Sequence, residues 1–332
     1  MSERVTLIPG DGIGPEVTAA AQAVIAAAGV SITWDVCAAG AAAAEETGSA
    51  CPDELITSIQ RNRIALKGPV GTPIGTGFRS VNVTLRRALD LYACVRPVRS
   101  IRGIRTRYDD VDLVVVRENT EGLYSGIEHM VVPGVAESLK IVTERACQRI
   151  SEFAYRHARA QGRRKVTVLH KANIMKLTDG MFLDVARKVS RRYPEVETQE
   201  AIVDACCMGL VRDPSRYDVL LMDNLYGDIL SDLTAGLVGG LGVVPGANIG
   251  DECAVFEAVH GSAPDIAGKG VANPTALILS AAMMLQYVGE RDAARRIESA
   301  VEKVYATTDV RTPDLDGSAS TEAFTAAVIA AL

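Results

Sequence analysis

Two aspartates stand four positions apart in the stretch NLYGDILSDL, Asp228 and Asp232. On a helix that spacing projects both carboxylates from one face. A like-charge pair so placed weakens a helix slightly, and acids near an N-terminus regain part of that from the dipole. Solvated capping acids are therefore one reading. The chemical reading is a hard divalent cation, since Mg2+ or Mn2+ takes carboxylate oxygens and keeps positions open for water and substrate. Asp204 is the candidate third ligand. Arginines supply the opposite charge: Arg86, Arg87, Arg96 and Arg99 fall in TLRRALDLYACVRPVRS, and Arg117 closes the run VDLVVVR. Pro97 keeps Arg96 extended, and guanidinium forks grip carboxylates in bidentate fashion. Arginines converging beside a metal describe a site for a small polyanion, although Arg87 and Arg99 read equally well as solvated. Lys171 and Tyr124 are the candidates for moving protons.

The elements that must position these groups are short β-branched runs ending in polar residues: VDLVVVREN, KVTVLHKAN, ETQEAIVDAC and YDVLLMDN. Helical patterns separate most of them, which predicts an α/β sheet. Ligands of open α/β sheets bind beyond the carboxyl ends of strands. Here Arg117, Glu118 and Asn119 end one run, and His170, Lys171 and Asn173 another. Asp204 follows a third, and Asn224 to Asp232 a fourth. One such end is ordinary loop polarity; four together predict a shared cleft. SITWDV reads as a strand and is followed by an alanine-rich helix ending near Gly48. RIALKGPVGTPIGTGFRS reads as a strand entering a long glycine-rich loop, with a helix from about Asn82 to Asp90. GLYSGIEHMVVPGVAESLKIVT alternates between glycines and reads as a β-arm or hairpin.

The N-terminal PGDGIGPEV invites a dinucleotide-binding reading that its spacing refuses. A Rossmann turn is G-x-G-x-x-G. After Gly10 and Gly12 the third glycine comes one position early, at Gly14, and Pro15 stands where Gly or Ala belongs. Asp35 is then an ordinary strand residue. The glycines let the turn pass close to a ligand before Pro15 starts a helix that Gly29 stops.

The 332 residues, 48% hydrophobic and 23% charged, suit a globular chain of about two domains. A net charge of -6 argues against nucleic-acid binding. No run approaches the roughly 18 apolar residues of a membrane span, and no signal peptide is visible. Seven scattered cysteines without a C-x-x-C pair fit a reducing compartment and a cytoplasmic location, with a processed organellar form as the alternative, and four separated histidines argue against a zinc site.

The chain resembles the β-decarboxylating dehydrogenases that act on isocitrate, 3-isopropylmalate and homoisocitrate, and within them the NAD-dependent isocitrate branch. The resemblance runs in order through IPGDGIGPEV, KGPVGTPIGTGFRSVNVTLRRALDLYACVRPV, RENTEGLYSGIEH, HKANIMK, NLYGDILSDL, GGLGVVPGANIG and VHGSAPDIAGKGVANPTALILSAAMML. It implies an isocitrate/isopropylmalate dehydrogenase-like α/β fold, one large twisted sheet shared by two domains. Residues 1–95 and 240–332 would form a discontinuous cofactor-binding domain. Residues 96–239 would form a smaller domain with a dimerisation arm at about 122–142.

The resemblance also implies roles. Arg86, Arg96 and Arg117 would hold substrate carboxylates, Ser80 and Asn82 the third carboxylate of isocitrate, and Asp228 and Asp232 Mg2+ or Mn2+. Lys171 and Asp204 would reach the site from a second subunit, making a homodimer or larger assembly. Lys171 would deprotonate the C2 hydroxyl and Tyr124 protonate C3. NAD would be met by Ile13, Thr72, Glu257, His260, Gly261, Asp265, Ile266 and Asn273. Thr72 would lie at the nicotinamide end, and His260 and Asn273 at adenine. Asp265 and Ile266 stand where NADP-dependent relatives carry lysine and tyrosine, and Asp265 would repel a 2′-phosphate; Arg311, reaching the ribose, would temper that preference. The alternatives are homoisocitrate or 3-isopropylmalate as substrate, or a non-catalytic regulatory subunit. Asp223 departs from the family pattern, and capping and added charge near the metal both remain open for it.

Overall fold

The structure, a computed structural model, describes residues 3–72 and 80–332. The glycine-rich loop predicted after RIALKG lies largely outside them. Among the described residues, ten strands form one sheet and two form a separate hairpin. In chain order the strands are β1 (Glu3–Ile8), β2 (Ile32–Val36), β3 (Ile64–Lys67), β4 (Ala93–Arg99), β5 (Asp112–Glu118), β6 (Glu128–Val132), β7 (Val135–Ser138), β8 (Lys165–His170), β9 (Glu197–Ile202), β10 (Val219–Met222), β11 (Pro245–Ile249) and β12 (Ala254–Ala258). The helices are α1 (Gly14–Ala27), α2 (Ala41–Thr47), α3 (Asp53–Asn62), α4 (Val81–Ala88), α5 (Glu144–Ala160), α6 (Thr178–Ser190), α7 (Val203–Arg212), α8 (Asn224–Leu237), α9 (Thr275–Tyr287), α10 (Arg291–Thr307) and α11 (Thr321–Ala331).

The sheet order is β2-β1-β3-β12-β11-β4-β5-β10-β8-β9. Neighbours run parallel at both ends of the sheet, and β11 and β4 are the exceptions at its centre. β11 is antiparallel to β12 and β4, and β4 is antiparallel to β5. Both faces are covered, which is why VDLVVV and YDVLLM read as continuous apolar runs. Alternation along each strand assigns the faces. Leu113 and Val115 join a core with α1, α8, α9, α10 and α11, while Val114 and Val116 face the opposite core under α5 and α6. A third core, on the face of Ala65 and Val255, lies under α3 and α4.

Two elements differ from the sequence reading. ETQEAIVDAC ends its strand at Ile202, so Asp204 sits in the first turn of α7. The helix α3, with Leu55, Ser58 and Ile59 inward, was hidden by its few apolar residues. The N-terminal glycines let the turn pass close to neighbouring backbone. Gly10 and Gly12 have φ of +81° and +60°, and a Cβ there would lie 2.1 Å from the Pro69 carbonyl oxygen and 2.0 Å from that of Ser262. Asp35 is the strand residue expected, bonded to Arg4, Arg61 and Asn62. β6 and β7 form the expected arm, an antiparallel hairpin with exposed Met130, Val132 and Val135.

Candidate active site

Arg117 is the centre of the charged cluster. It lies next to last in β5 and is fully buried, because β5 and α8 pack so closely that a Cβ on Gly227 would lie 2.3 Å from its Cγ. Its Nε and Nη2 donate to Asn224 Oδ1 at 3.1 and 2.6 Å, and Nη1 to Asp228 Oδ1 at 2.5 Å. The Tyr124 ring lies 5.1 Å from the guanidinium, and its hydroxyl donates to Asp228 Oδ2. Arg96, also buried, donates to Ser231 Oγ and stands 3.6 Å from Asp232. The period of α8 thus presents Asn224, Asp228, Ser231 and Asp232 to two arginines from adjacent strands. Burial pushes the Asp228 carboxyl up, but Arg117, with Tyr124 and Arg96 behind it, holds it below its ordinary value. Burial raises Asp232, with Arg96 only partly offsetting it. Burial and the neighbouring Asp228 raise the Tyr124 hydroxyl, which keeps it a proton donor.

Arg86 approaches from α4, backed by a network that the sequence did not reveal. Glu257 on β12 accepts from Lys67 Nζ at 2.5 Å and from Asn248 Nδ2 at 2.7 Å, and lies 3.5 Å from Arg86 Nη2. Asn119 donates to Asn248 Oδ1 at 2.9 Å. Nothing in RIALKG marks Lys67 as more than a strand end; it is 2% exposed. Burial opposes the Glu257 charge, but Lys67 and Arg86 outweigh it and hold the carboxyl at about 2. A depressed carboxyl contributes stability that is present above its unfolded value, near 4.5, and is lost as pH falls toward 2. Glu257→Gln should therefore cost about 3 kcal/mol at pH 7. Urea unfolding should show that difference shrinking below pH 4.5.

Ser80 caps α4, accepting from Val83 N, and receives the Thr72 hydroxyl at 3.3 Å. Asn82 Oδ1, Arg86 Nε and Asn224 Nδ2 are buried without a protein partner. Such atoms are costly unless something else pairs them.

Lys171 and Asp204 are brought together, but not to Asp228. Lys171 Nζ donates to Asp204 Oδ1 at 2.6 Å, in a pair with Asp204 mostly exposed. Among the described residues no three His, Cys, Asp or Glu side chains are grouped to hold a metal. Asp228 and Asp232 fit a hard cation by their oxygen donors and by side chains 42% and 60% exposed. Asp223 caps α8, accepting from Tyr226 N at 3.0 Å, and pairs with Lys140; its carboxylate is engaged there.

At the glycine turn, Ile13 is buried and its N donates to Ser262 O at 2.9 Å. His260 Nδ1 lies 3.0 Å from Gly261 O, and its Nε2 is buried and unpartnered. Burial lowers the His260 ring below its usual value and keeps it neutral. Asp265 is exposed and Ile266 half-buried on the same loop. Asn273 is engaged inward, donating to Asp314 Oδ2 and accepting from Thr275 N, both at 3.0 Å. Arg311 donates to the carbonyls of Thr308, Gly103 and Tyr305.

An α/β enzyme is the class that this covered sheet and its cluster of arginines and aspartates define. Within it, the chain belongs to the isocitrate/isopropylmalate dehydrogenase family, whose sequence pattern matches residues 4–330. It is 53% identical over 324 residues to a mitochondrial isocitrate dehydrogenase [NAD] catalytic subunit 5 of Arabidopsis thaliana, covering 97% of this chain and 87% of that one. It is also 53% identical, over 304 residues, to a chloroplastic 3-isopropylmalate dehydrogenase of Solanum tuberosum, covering 91% and 85%. The crystal structure of isocitrate dehydrogenase from Methylococcus capsulatus superposes with a TM-score of 0.97 at 54% identity, covering 100% of this chain and 99% of that one. The fold is the one the motifs implied. Equal identity to enzymes named for two substrates leaves the choice between them to the site.

Proposed function

We infer that the chain catalyses the NAD-dependent oxidative decarboxylation of isocitrate to 2-oxoglutarate and CO2. The observation that carries the substrate is α4. Its apolar residues Val81 and Leu85 are turned into the core, while Ser80 and Asn82 at its start, with a hydroxyl and an amide N–H2 that can donate, are only half-buried. That surface suits a third carboxylate and offers little to an isopropyl group. A site built to hydrogen-bond rejects an analogue that leaves its groups unpaired.

Arg86, Arg96 and Arg117 hold the carboxylates and fix the orientation of C2 and C3. Lys171 takes the proton of the C2 hydroxyl, and Tyr124 returns a proton to C3 after CO2 leaves. Bound NAD would supply the hydride acceptor, and a divalent cation, Mg2+ or Mn2+, would supply Lewis-acid polarisation at the C2 hydroxyl. Asp228 and Asp232 would hold the cation. The unpartnered His260 Nε2 beside the Gly12–Ser262 junction fits an adenosine group, with Ile13, Thr72, Glu257, Gly261, Asp265, Ile266 and Asn273 around the cofactor. Lys171 and Asp204 act in the partner's site. A homodimer is supported by exposed apolar side chains on the arm, on the loop before α6 and on α7 and α8, among them Val132, Leu177, Met208 and Ile229. Two domains, 1–95 with 240–332 and 96–239, are supported by the cores beneath α3–α4 and α5–α6, which lie on the two halves of a sheet that a third core joins. The seven free thiols support a reducing compartment, the cytoplasm or an organelle interior.

The presence of Arg86, Tyr124, Lys171, Asp204, Asp228 and Asp232 favours a catalytic over a regulatory chain. Purified protein with isocitrate, NAD and Mn2+ should form NADH, CO2 and 2-oxoglutarate in equal amounts; isocitrate binding without turnover would overturn this reading. For the cofactor, exposed Asp265 and the tethering of Arg311 to three carbonyls favour NAD. Asp265→Lys with Ile266→Tyr should raise kcat/KM for NADP relative to NAD by at least about tenfold, since one interaction of about 1.4 kcal/mol suffices. An unchanged ratio would place the ribose elsewhere.

A further inference from the structure

Lys140 follows the arm strand β7 and takes no part in the chemistry described above. Its Nζ nevertheless lies 2.5 Å from Asp179 Oδ1 and 2.5 Å from Asp223 Oδ2, with the Tyr226 ring 4.8 Å away. Each aspartate is joined to one half of the catalytic machinery. Asp179 Oδ2 accepts from the backbone N of Lys171 at 2.6 Å and from the Tyr226 hydroxyl at 3.1 Å. Asp223 caps the first turn of α8, the helix that carries Asp228 and Asp232. All three charged groups are largely buried, with side-chain exposures of 13%, 3% and 11% for Lys140, Asp179 and Asp223. Burial works against the Lys140 charge, but the carboxylates outweigh it and hold the amine protonated.

We propose that Lys140 is a positioning residue that clamps the Lys171 loop to the start of α8, setting the base and the aspartate helix in one fixed relation. Two carboxylates alone could not share this buried space, because removing the cation leaves uncompensated charge. The amine lets Asp179 hold the loop and Asp223 hold the helix at the same time. Asp223 is the residue that departs from the family pattern, so this chain's clamp has two carboxylate arms at a place where sequence reading saw only a capping residue or stray charge. The inference rests on the proposed turnover of isocitrate. In the shared-site arrangement it has a further consequence: Lys171 serves the partner's site while α8 serves its own, so one clamp ties the geometry of both sites together.

Lys140→Met, Lys140→Arg and Asp223→Asn separate this role from simple stability. Hydrogen exchange of the full-length protein without ligands should show Lys140→Met exchanging at least about tenfold faster over residues 171–177 and 223–229, with the central sheet unchanged. Asp223→Asn should loosen 223–229 and leave 171–177 protected, because Asp179 keeps its lysine. In turnover, Lys140→Met should lower kcat by about 10- to 100-fold, with KM for NAD unchanged and a larger primary isotope effect from isocitrate deuterated at C2. Lys140→Arg should recover part of both losses. Unchanged exchange in both segments for Lys140→Met, or full kcat in a variant whose parent turns over isocitrate, would overturn the clamp. An inactive parent protein with the expected exchange pattern would instead fault the isocitrate reading and leave the clamp standing.

Discussion

Arg117→Lys should lower kcat/KM for isocitrate by about 10²–10³-fold while the protein stays folded, the scale of losing one pre-aimed donor in a dry site. Lysine keeps the charge but is a single point, whereas the Arg117 fork makes two bonds to Asn224 and one to Asp228. Its removal frees Asn224 and Asp228 together, so the helix bearing the aspartates loses its lock onto β5. Tyr124 loses the guanidinium against its ring and keeps only its bond to Asp228. The effect should be divided between kcat and KM, because in the proposed mechanism the same residue binds substrate and aligns the proton donor. Steady-state kinetics beside a circular dichroism melt measures this. Near-normal kcat/KM would remove Arg117 from the site.

Lys171→Met should lower kcat by about 10²–10⁴-fold, the usual worth of a positioned acid or base, with isocitrate affinity little changed. The loss should be repairable in trans. Within one chain Lys171 meets Asp204 and not Asp228, so a base serving its partner explains the separation. Subunits of Lys171→Met and Arg117→Lys, mixed and allowed to exchange, then rebuild one complete site in each mixed dimer. With random pairing about a quarter of wild-type activity returns. Mixtures that stay inactive although exchange is shown by mass would assign Lys171 to its own chain's site.

What could be read from the sequence follows a physical divide. Periodicity and turn chemistry are local, so the strands β5, β8 and β10, the arm, and the Asp228–Asp232 spacing were legible in short windows. The refusal of a Rossmann turn was legible because it is a matter of one residue's spacing. The partners were not legible, because ion pairs are made across the chain. Lys67 meets Glu257 from 190 residues away, and Arg117 meets Asn224 from 107. Lys140 looked like part of an alternating arm, and Asp223 like an odd cap, until the fold set them 2.5 Å apart. Asp204 was read as following its strand and does so, but that it opens the helix α7 was not legible.

The central claim is the substrate, and the most direct measurement compares kcat/KM for isocitrate, homoisocitrate and 3-isopropylmalate with NAD and Mn2+. The donors of Ser80 and Asn82 at the start of α4 predict isocitrate first, by roughly tenfold or more over homoisocitrate for one added methylene, and by about 10⁴ over 3-isopropylmalate, which leaves them unpaired. A preference for either of the other two acids would contradict the account.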